Sequence, residues 1–294
     1  MELAQTEIIP HNMKRIILIA LASVLVASCC RESIKWTMTS MNSTRTGVIA
    51  CNADNVDQAL GTIDPENYTA PNGRTFGKET STYKVAKALL AVQPQMADLK
   101  KVVGYSTREM IRTYPESEIG DWFIDELMRA AEKKSGKHVS FGVTNFGGIR
   151  VDMPAGDILK DDIVSMFPFK NNLCYLELAG KDIRALLEQL AATKWQVVGG
   201  ARCVVKDGKL ESVEIEGQPL DDNRVYGVAT ISFLLNGGDG LFVARNAKKL
   251  DIYPEYLIDI MLPYVQELTA QGKPVEYSKD GRIQIIETKN ESAE

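Results

Sequence analysis

Apolar residues recur at helical spacing in several parts of the chain. The strongest such pattern begins after Ser117, which can cap the free amides of a first helical turn, and stops before Gly136. The face between them carries Ile119, Phe123, Ile124, Leu127, Met128 and Ala131. A second helix is predicted to begin near Tyr83 and to end or kink at Pro94. Further helices are predicted over 183–190 and about 254–269.

Alternating apolar residues predict strands between these helices. They cover 139–143, 172–178 and 225–231. The Asp207-Gly208 pair separates the apolar runs 203–205 and 210–215, which predicts a β-hairpin. Helices and strands are mixed along the chain rather than strictly alternating. We therefore expect an α+β fold, a layered α/β/α domain with a mixed sheet, over residues 85–286.

The beginning of the chain has a different pattern. The apolar run from Ile16 to Ala27 follows the basic residues Lys14 and Arg15. The run is too short to cross a bilayer, which takes about 20 helical residues. Its basic start and the small residues that follow it favour an export signal over the alternative, a buried core helix. Residues 1–28 are therefore predicted to be an export signal, with translation starting at Met13.

The end of this run also suggests a lipid anchor. The tetrapeptide Val26-Ala27-Ser28-Cys29 resembles the lipobox of bacterial lipoproteins, in which the cysteine is acylated after cleavage. We expect lipidation at Cys29 and an exported, membrane-anchored lipoprotein on the periplasmic or cell-surface side. Residues 29–84 are predicted to be a tether and an irregular region because Thr, Asn, Ser and Gly are frequent there. Residues 287–294 are predicted to be a loose tail.

Composition narrows the classes of partner and of chemistry. The 294 residues include 34 Lys and Arg against 39 Asp and Glu, a net charge of −5. Long nucleic acid is excluded as a partner because its phosphates require a basic face. None of the cysteines forms a C-x-x-C pair, so zinc and redox motifs are unsupported. Cys174 and Cys203 lie in apolar runs, which favours buried thiols, although export leaves a disulfide open.

Two glycine-rich loops each follow a predicted strand. The first contains Asn145, Gly147, Gly148 and Arg150, and the second contains Phe233, Asn236, Gly237, Gly238, Asp239 and Gly240. Neither has the glycine spacing of the common nucleotide-binding loops. Arg150 can bind a phosphate or a carboxylate, and Asp239 can accept hydrogen bonds from two vicinal hydroxyls. The alternative is that both loops are tight turns with solvated charges.

A third element is the Phe167-Pro168-Phe169 segment between a short predicted helix and a strand. An aromatic ring beside a proline in a loop either fills the core or is exposed for stacking. Paired with Phe233, an exposed ring here would clamp a flat base. Stacking of this kind contributes about 1–3 kcal/mol per base and tolerates different bases.

Several separated motifs, in order, resemble the C-terminal domain of the 5′-nucleotidases, the family of UDP-sugar hydrolase and ecto-5′-nucleotidase. The resemblance runs from about Glu116 to Phe242. It is carried by Ser117-Glu118-Ile119-Gly120, by Thr144 to Arg150, by Phe167-Pro168-Phe169 and by Phe233 to Gly240. The resemblance implies the fold of that domain and a role in binding the nucleoside part of a nucleotide.

The resemblance also implies a role for each loop residue. Phe169 and Phe233 would sandwich the base, and Asp239 would hold the ribose hydroxyls. Asn145 would contribute near the nucleoside and Arg150 would bind towards the phosphate, with Gly147, Gly148, Gly237 and Gly238 shaping the loops. Family members tend to carry a further arginine just before the Ser117 helix. This sequence has only Arg112 near that position, which puts phosphate affinity and substrate choice in question.

Family members also carry an N-terminal metallophosphatase domain with two metal ions. The stretch before Glu116 is too short for such a domain, and His138 is the one histidine after the predicted signal. We therefore expect no catalytic residue, metal ligand or cofactor on this chain. The expected function is nucleotide recognition in a split 5′-nucleotidase, with divalent metals on a separate metallophosphatase chain. The alternatives are a non-catalytic nucleotide- or nucleoside-binding lipoprotein and a degenerate copy kept for interaction.

Overall fold

The computed structural model of the protein describes residues 55–288. The predictions for the export signal, for the start at Met13, for lipidation at Cys29 and for most of the tether lie outside these residues. The predicted tail lies outside them from residue 289 onwards. Within the described range, no helix has both the length and the apolar character needed to cross a membrane.

Six α-helices lie in the described part of the chain. They are α1 (Val56–Leu60), α2 (Ser81–Val92), α3 (Glu118–Ser135), α4 (Lys160–Met166), α5 (Gly180–Ala192) and α6 (Leu257–Ala270). The predicted boundaries of α3 are confirmed: Ser117 Oγ accepts a hydrogen bond from the Gly120 amide at 3.1 Å. Gly136 follows the helix in the left-handed conformation, with φ of 65°.

Four sheets contain the strands of the same range. The strands are β1 (Thr62–Ile63), β2 (Asn67–Thr69), β3 (Thr75–Gly77), β4 (Val102–Ser106), β5 (Phe141–Thr144), β6 (Gly156–Leu159), β7 (Asn172–Ala179), β8 (Val197–Gly199), β9 (Ala201–Lys206), β10 (Lys209–Ile215), β11 (Gln218–Pro219), β12 (Val225–Ile231), β13 (Lys249–Tyr256) and β14 (Ile283–Ile286). The central sheet has the order β13-β7-β12-β5-β8, and a second sheet has the order β11-β10-β9-β14.

Both of these sheets are mixed, as predicted. In the central sheet β5 and β12 are parallel, and the other neighbours are antiparallel. In the second sheet β9 and β14 are parallel, and the predicted hairpin forms β9 and β10. Helix α3 packs against β5, β7, β8 and β12, while α5 packs against β7 and β10. The predicted α+β fold with a mixed sheet is therefore confirmed.

The core is built around α3 and the central sheet. Trp122, Phe123 and Phe141 are almost completely buried there. The ring of Phe123 packs on that of Phe167, with the two centroids 4.6 Å apart. Burial of each such side chain stabilises the fold by about 1.5–3 kcal/mol. Cys174 and Cys203 are buried free thiols, so the favoured alternative holds and no disulfide joins them.

The structure differs from the predicted elements at two places. Residues 55–84 are not wholly irregular, because α1 and the antiparallel sheet β1-β2-β3 form there. These strands have two or three residues each, too few to show an alternating pattern. The last helix begins at Leu257 rather than near Pro254, because Pro254 lies in the edge strand β13.

A buried group of charges joins the start of α3 to the C-terminal segment. The Arg282 guanidinium is 7% exposed at its side chain and binds Asp125 at 2.8 Å and Asp280 at 3.0 Å. Asp121 and Glu116 lie in the same group and are also buried. Burial raises the pKa of Asp121 to about 8; Arg282 opposes the shift, and Glu116 and Asp125 add to it.

Glu116 fastens the last strand within this group. Its Oε1 accepts a hydrogen bond from the Gly281 amide at 3.0 Å, and its Oε2 accepts one from the Ile283 amide at 3.3 Å. The Tyr277 hydroxyl donates to Asp125. The side chains that neutralise one another here therefore also hold β14 beside α3.

This arrangement predicts a pH-dependent stability. The folded protein binds a proton on Asp121 more tightly than the unfolded chain does, since the pKa rises from 3.8 to about 8. The stabilisation from that proton is complete at low pH and is lost as the pH rises towards about 8. The free energy of unfolding should therefore fall between about pH 4 and about pH 8, and Asp121→Asn should flatten that slope.

Urea unfolding at several pH values measures this slope. Asp57→Asn, which changes an exposed carboxyl in α1, is the control and should keep the wild-type slope. An Asp121→Asn protein with an unchanged slope would show that another group carries the pH dependence.

Candidate functional site

The topology of the central sheet brings the predicted loop residues to one edge. Because β5 and β12 are parallel neighbours, the loops that follow them leave the sheet at the same end. Strand β7 is antiparallel to β12 and pairs Leu173 with Ile231, so its start lies at that end too. We call this end of the sheet the loop edge; it carries residues 145–150, 167–171 and 232–242.

A side-chain hydrogen bond joins the two glycine-rich loops. Asn145 Nδ2 donates to Asp239 Oδ2 at 2.7 Å. Asn145 is only 5% exposed, whereas Asp239 is exposed. The carboxylate of Asp239 keeps acceptor capacity beyond this one bond. Asn145 Oδ1 is buried and has no hydrogen-bond partner within the described residues. Asn145 and Asp239 are therefore in direct contact, and the side-chain oxygen of Asn145 is a buried acceptor next to their hydrogen bond.

The second loop depends on an unusual backbone path. Asp239 has φ of 50°, a left-handed conformation that aspartate tolerates better than most residues. Gly237 has φ of 105°. A Cβ at Gly238 would lie 2.1 Å from the Phe233 carbonyl oxygen, so only glycine fits at this position. The missing side chain at Gly238 therefore lets the second loop pack directly against the Phe233 carbonyl.

Arg150 and Phe169 are neighbours at the loop edge. The guanidinium carbon of Arg150 lies 5.8 Å from the centre of the Phe169 ring. Arg150 Nη1 also donates to the Gly147 carbonyl at 3.2 Å, and its backbone amide donates to the Met166 carbonyl. Arg150 is exposed, so its guanidinium can meet an anion from solvent.

The two predicted stacking rings are both open to solvent. Phe169 is 46% exposed and Phe233 is 44% exposed. Phe167, two residues earlier in the chain, is buried in the core at 3% exposure. Both alternatives for the Phe-Pro-Phe segment, core packing and exposure, therefore occur. The Phe167 ring packs in the core, and the Phe169 ring is exposed at the loop edge.

Four residues at or beside this edge were not predicted. Phe242 is 47% exposed, and the Arg245 guanidinium lies 4.6 Å above its ring. Gln189 donates to the Gly240 carbonyl at 3.0 Å, and Gln196 accepts from the Phe146 amide at 3.0 Å. Phe242 could have been found as a further aromatic in the second loop, but no local pattern marks either glutamine.

Arg112 is held against the first loop. Its Nη1 donates to the Ile149 carbonyl at 2.7 Å, and its Nε lies 3.3 Å from Asp152 Oδ1. Asp152 is buried and offsets the charge of Arg112. Arg150 is therefore the more available cation of this pair.

His138 lies at the opposite end of the central sheet, just before β5. Its Nδ1 lies 3.0 Å from Glu132 and its Nε2 contacts Glu216. The hydrogen bond to Glu216, with a smaller effect of Glu132, raises the pKa of His138. His138 forms a surface ion pair and does not contribute to the loop edge.

One group of carboxylates in residues 55–288 is close enough to share a metal ion: Glu116, Asp121 and Asp280. Arg282 already places a positive charge among them, 3.8 Å from Asp121 and 3.0 Å from Asp280. The group acts as an ion-pair network in which Glu116 and Asp121 are buried and Asp280 is exposed, and it lies outside the loop edge.

The sequence model of the 5′-nucleotidase C-terminal domain matches residues 99–245. Protein UshA of Yersinia enterocolitica is 35% identical over 138 residues, which cover 45% of this chain and 23% of UshA. Cell wall protein Lmo0130 of Listeria monocytogenes is 31% identical over 185 residues, which cover 57% of this chain and 23% of the relative.

Solved structures agree with these sequence matches. The crystal structure of a 5′-nucleotidase precursor from Thermus thermophilus superposes with a TM-score of 0.62 at 28% identity. The superposition covers 71% of this chain and 44% of that one. The matched part thus spans about a quarter of the two curated relatives and less than half of the solved structure. By its sequence, its fold and the order of its motifs, this chain belongs to the 5′-nucleotidase C-terminal domain family.

Proposed function

We propose that this chain is the nucleotide-recognition subunit of a split 5′-nucleotidase, which hydrolyses nucleoside 5′-monophosphates for nucleotide catabolism. The observation that carries the proposal is the meeting of Asn145, Arg150, Phe169, Phe233 and Asp239 at the loop edge. These residues offer two exposed rings, an exposed cation and a carboxylate, which together match the parts of a nucleotide.

Each part of the ligand has a group to bind it. The base would stack between Phe169 and Phe233, a contact that does not depend on which base is present. Asp239 would accept hydrogen bonds from the two ribose hydroxyls, as a carboxylate does from paired donors. Asn145 would contact the nucleoside, and Arg150 would bind towards the phosphate. These contacts bind and orient the substrate but break no bond.

The phosphate-cleaving chemistry is proposed to come from a separate metallophosphatase chain. In such enzymes two divalent metal ions activate water and stabilise the charge that develops on phosphorus. The described residues do not fit that role, because His138 is the single histidine among them and it lies away from the loop edge. Phosphoester hydrolysis is therefore assigned to the partner.

A second candidate function is a lipoprotein that binds nucleotides or nucleosides without catalysis. The pairing of Arg112 with Asp152 favours it, because that arginine is partly neutralised and Arg150 is left as the main phosphate contact. A site with rings and a ribose-binding carboxylate but weak phosphate affinity suits a nucleoside better than a monophosphate.

We propose an exported location with a lipid anchor at Cys29 for either function. One relative is named a cell wall protein, which supports export. The anchor would keep the chain on a membrane beside an exported partner.

The stacking rings give the first test of this proposal. Calorimetry should detect adenosine and AMP binding to the purified protein. Phe169→Ala and Phe233→Ala should each weaken binding by about 5- to 150-fold, since each removes a stacking contact of about 1–3 kcal/mol. Tyr105→Ala, which removes an exposed ring on β4, is the matched control and should bind as the wild type does. Unchanged binding in both phenylalanine variants would exclude the proposed site.

Reconstitution distinguishes the split enzyme from the binding lipoprotein. Phosphate release from AMP should require both this chain and an exported metallophosphatase encoded beside it, with a divalent metal present. Phe233→Ala should lower the rate of the mixture at limiting AMP, because it weakens substrate binding. AMP cleavage by this chain alone with added metal would contradict the split-enzyme proposal. AMP binding without phosphate release in the mixture would favour the non-catalytic binding lipoprotein.

The glycine loop provides a further test. Gly238→Ala should lower adenosine affinity at least about tenfold and destabilise the protein by about 1–3 kcal/mol, because the new Cβ displaces the Phe233 carbonyl. Gly77→Ala in β3 is the control, since a Cβ there meets no atom within 4 Å. Both variants reduce the conformational entropy of the unfolded chain equally. The difference between the two variants in affinity and in melting temperature therefore measures the steric clash at position 238. Equal behaviour of the two variants would contradict the described loop path.

A further inference from the structure

The side chain of Gln196 extends the hydrogen-bonded pairing of β5 and β8 by one residue. Val197 is the first residue of β8 and pairs with Thr144, the last residue of β5. One step further along the two strands, Gln196 lies opposite Asn145. At this step the Gln196 side chain accepts a hydrogen bond from the Phe146 amide at 3.0 Å. Gln196 is only 7% exposed, so this bond is shielded from water.

The Phe146 amide belongs to the peptide group that follows Asn145. A peptide group is planar, so holding its N–H fixes the orientation of the carbonyl and Cα of Asn145 as well. The Asn145 carbonyl in turn accepts the Gly148 amide at 3.0 Å, which starts the turn of the first loop. Gln196 therefore restrains the backbone from which the Asn145 side chain projects.

The Asn145 side chain has little freedom to adjust if that backbone moves. Its Nδ2 is bound to Asp239 Oδ2 at 2.7 Å, and its Oδ1 would lie 2.8 Å from a Cβ at Gly148. A rotation of the Asn145–Phe146 peptide would break the bond to Asp239 or drive the amide into the turn. The link between the two loops thus depends on the orientation that Gln196 maintains.

We propose that Gln196 is a positioning residue of the nucleotide site: through the Phe146 amide it orients Asn145, which holds Asp239 where the ribose hydroxyls would bind. The choice of a nucleotide as the ligand rests on the proposed function, whereas the contacts of Gln196 do not depend on it. The side chain of Gln196 accepts from the Phe146 amide, and this path leads through Asn145 to Asp239, so it should act on the ribose contact rather than on the base contact.

The test compares two substitutions of Gln196. Gln196→Leu keeps the approximate shape and removes the acceptor, and it should weaken adenosine binding about tenfold. Gln196→Glu keeps an acceptor oxygen and should bind adenosine within about threefold of the wild type. Free adenine, which has no ribose, should bind both variants as it binds the wild type. An equal loss of adenine and adenosine affinity would indicate general damage to the site and overturn the proposal.

A double-mutant cycle separates positioning from a purely structural role. In an Asn145→Ala background, Gln196→Leu should cause no further loss of adenosine affinity, because the residue that it positions is absent. Gln218→Leu on the exposed strand β11 is the control for a glutamine without this contact. Additive losses from Asn145→Ala and Gln196→Leu would overturn the proposal.

A ligand-free measurement keeps this inference distinct from the proposed function. In the wild-type protein the Phe146 amide should exchange slowly with solvent, and the Asn145 side-chain amide should give a shifted NMR signal. Gln196→Leu should accelerate the exchange and move that signal, whereas Gln196→Glu should preserve both. If adenosine does not bind the wild type but these changes occur, the proposed function fails and the positioning role stands. If the signals are identical in all three proteins, the positioning role fails.

Discussion

The parallel pairing of β5 with β12 is the constraint on which the site depends. It sets two chain segments that are about 90 residues apart side by side, so that both glycine-rich loops leave the sheet together. The Asn145–Asp239 hydrogen bond then joins the loops directly. Without the parallel register, the same residues would lie at opposite ends of the sheet. The sheet places the two loops side by side, and the hydrogen bond completes that placement.

The buried charges near the start of α3 support the central sheet indirectly, because α3 packs on that sheet. Arg282, close to the C-terminal strand β14, neutralises Asp125 and Asp280 and lies near Asp121. A buried guanidinium with several carboxylates contributes little net stability when complete, but breaking it is costly because an unpaired charge stays buried. The network therefore specifies how β14 and α3 meet more than it strengthens the fold. Helix α3 in turn packs on β5 and β12, the strands that carry the loops.

Sequence patterns predict the parts of this molecule that depend on neighbours along the chain. Ser117 and Gly136 mark the ends of α3, and Asp207-Gly208 marks a hairpin, because capping and turn geometry are local. The loop residues could be selected from the sequence because glycines, an aspartate and aromatic rings stand together there, and because these motifs resemble those of a known family. Gln196 was not accessible, since its contact arises only from the register of β8 on β5. The burial of Phe167 beside the exposed Phe169 likewise needs the packing of Phe123, which no local pattern contains.

Placing nucleotide recognition and phosphoester cleavage on two chains, as proposed, would have a physical consequence for the whole enzyme. Contacts to the base and ribose that are equally present in the substrate and the transition state would lower KM without raising the rate of bond cleavage. Such contacts can therefore reside on a separate chain without altering the chemistry at phosphorus. In the proposed split enzyme, association of the two chains would be a condition for activity, and that association would depend on their local concentration. A shared membrane would raise that concentration, so the proposed anchor at Cys29 would favour association of the two chains.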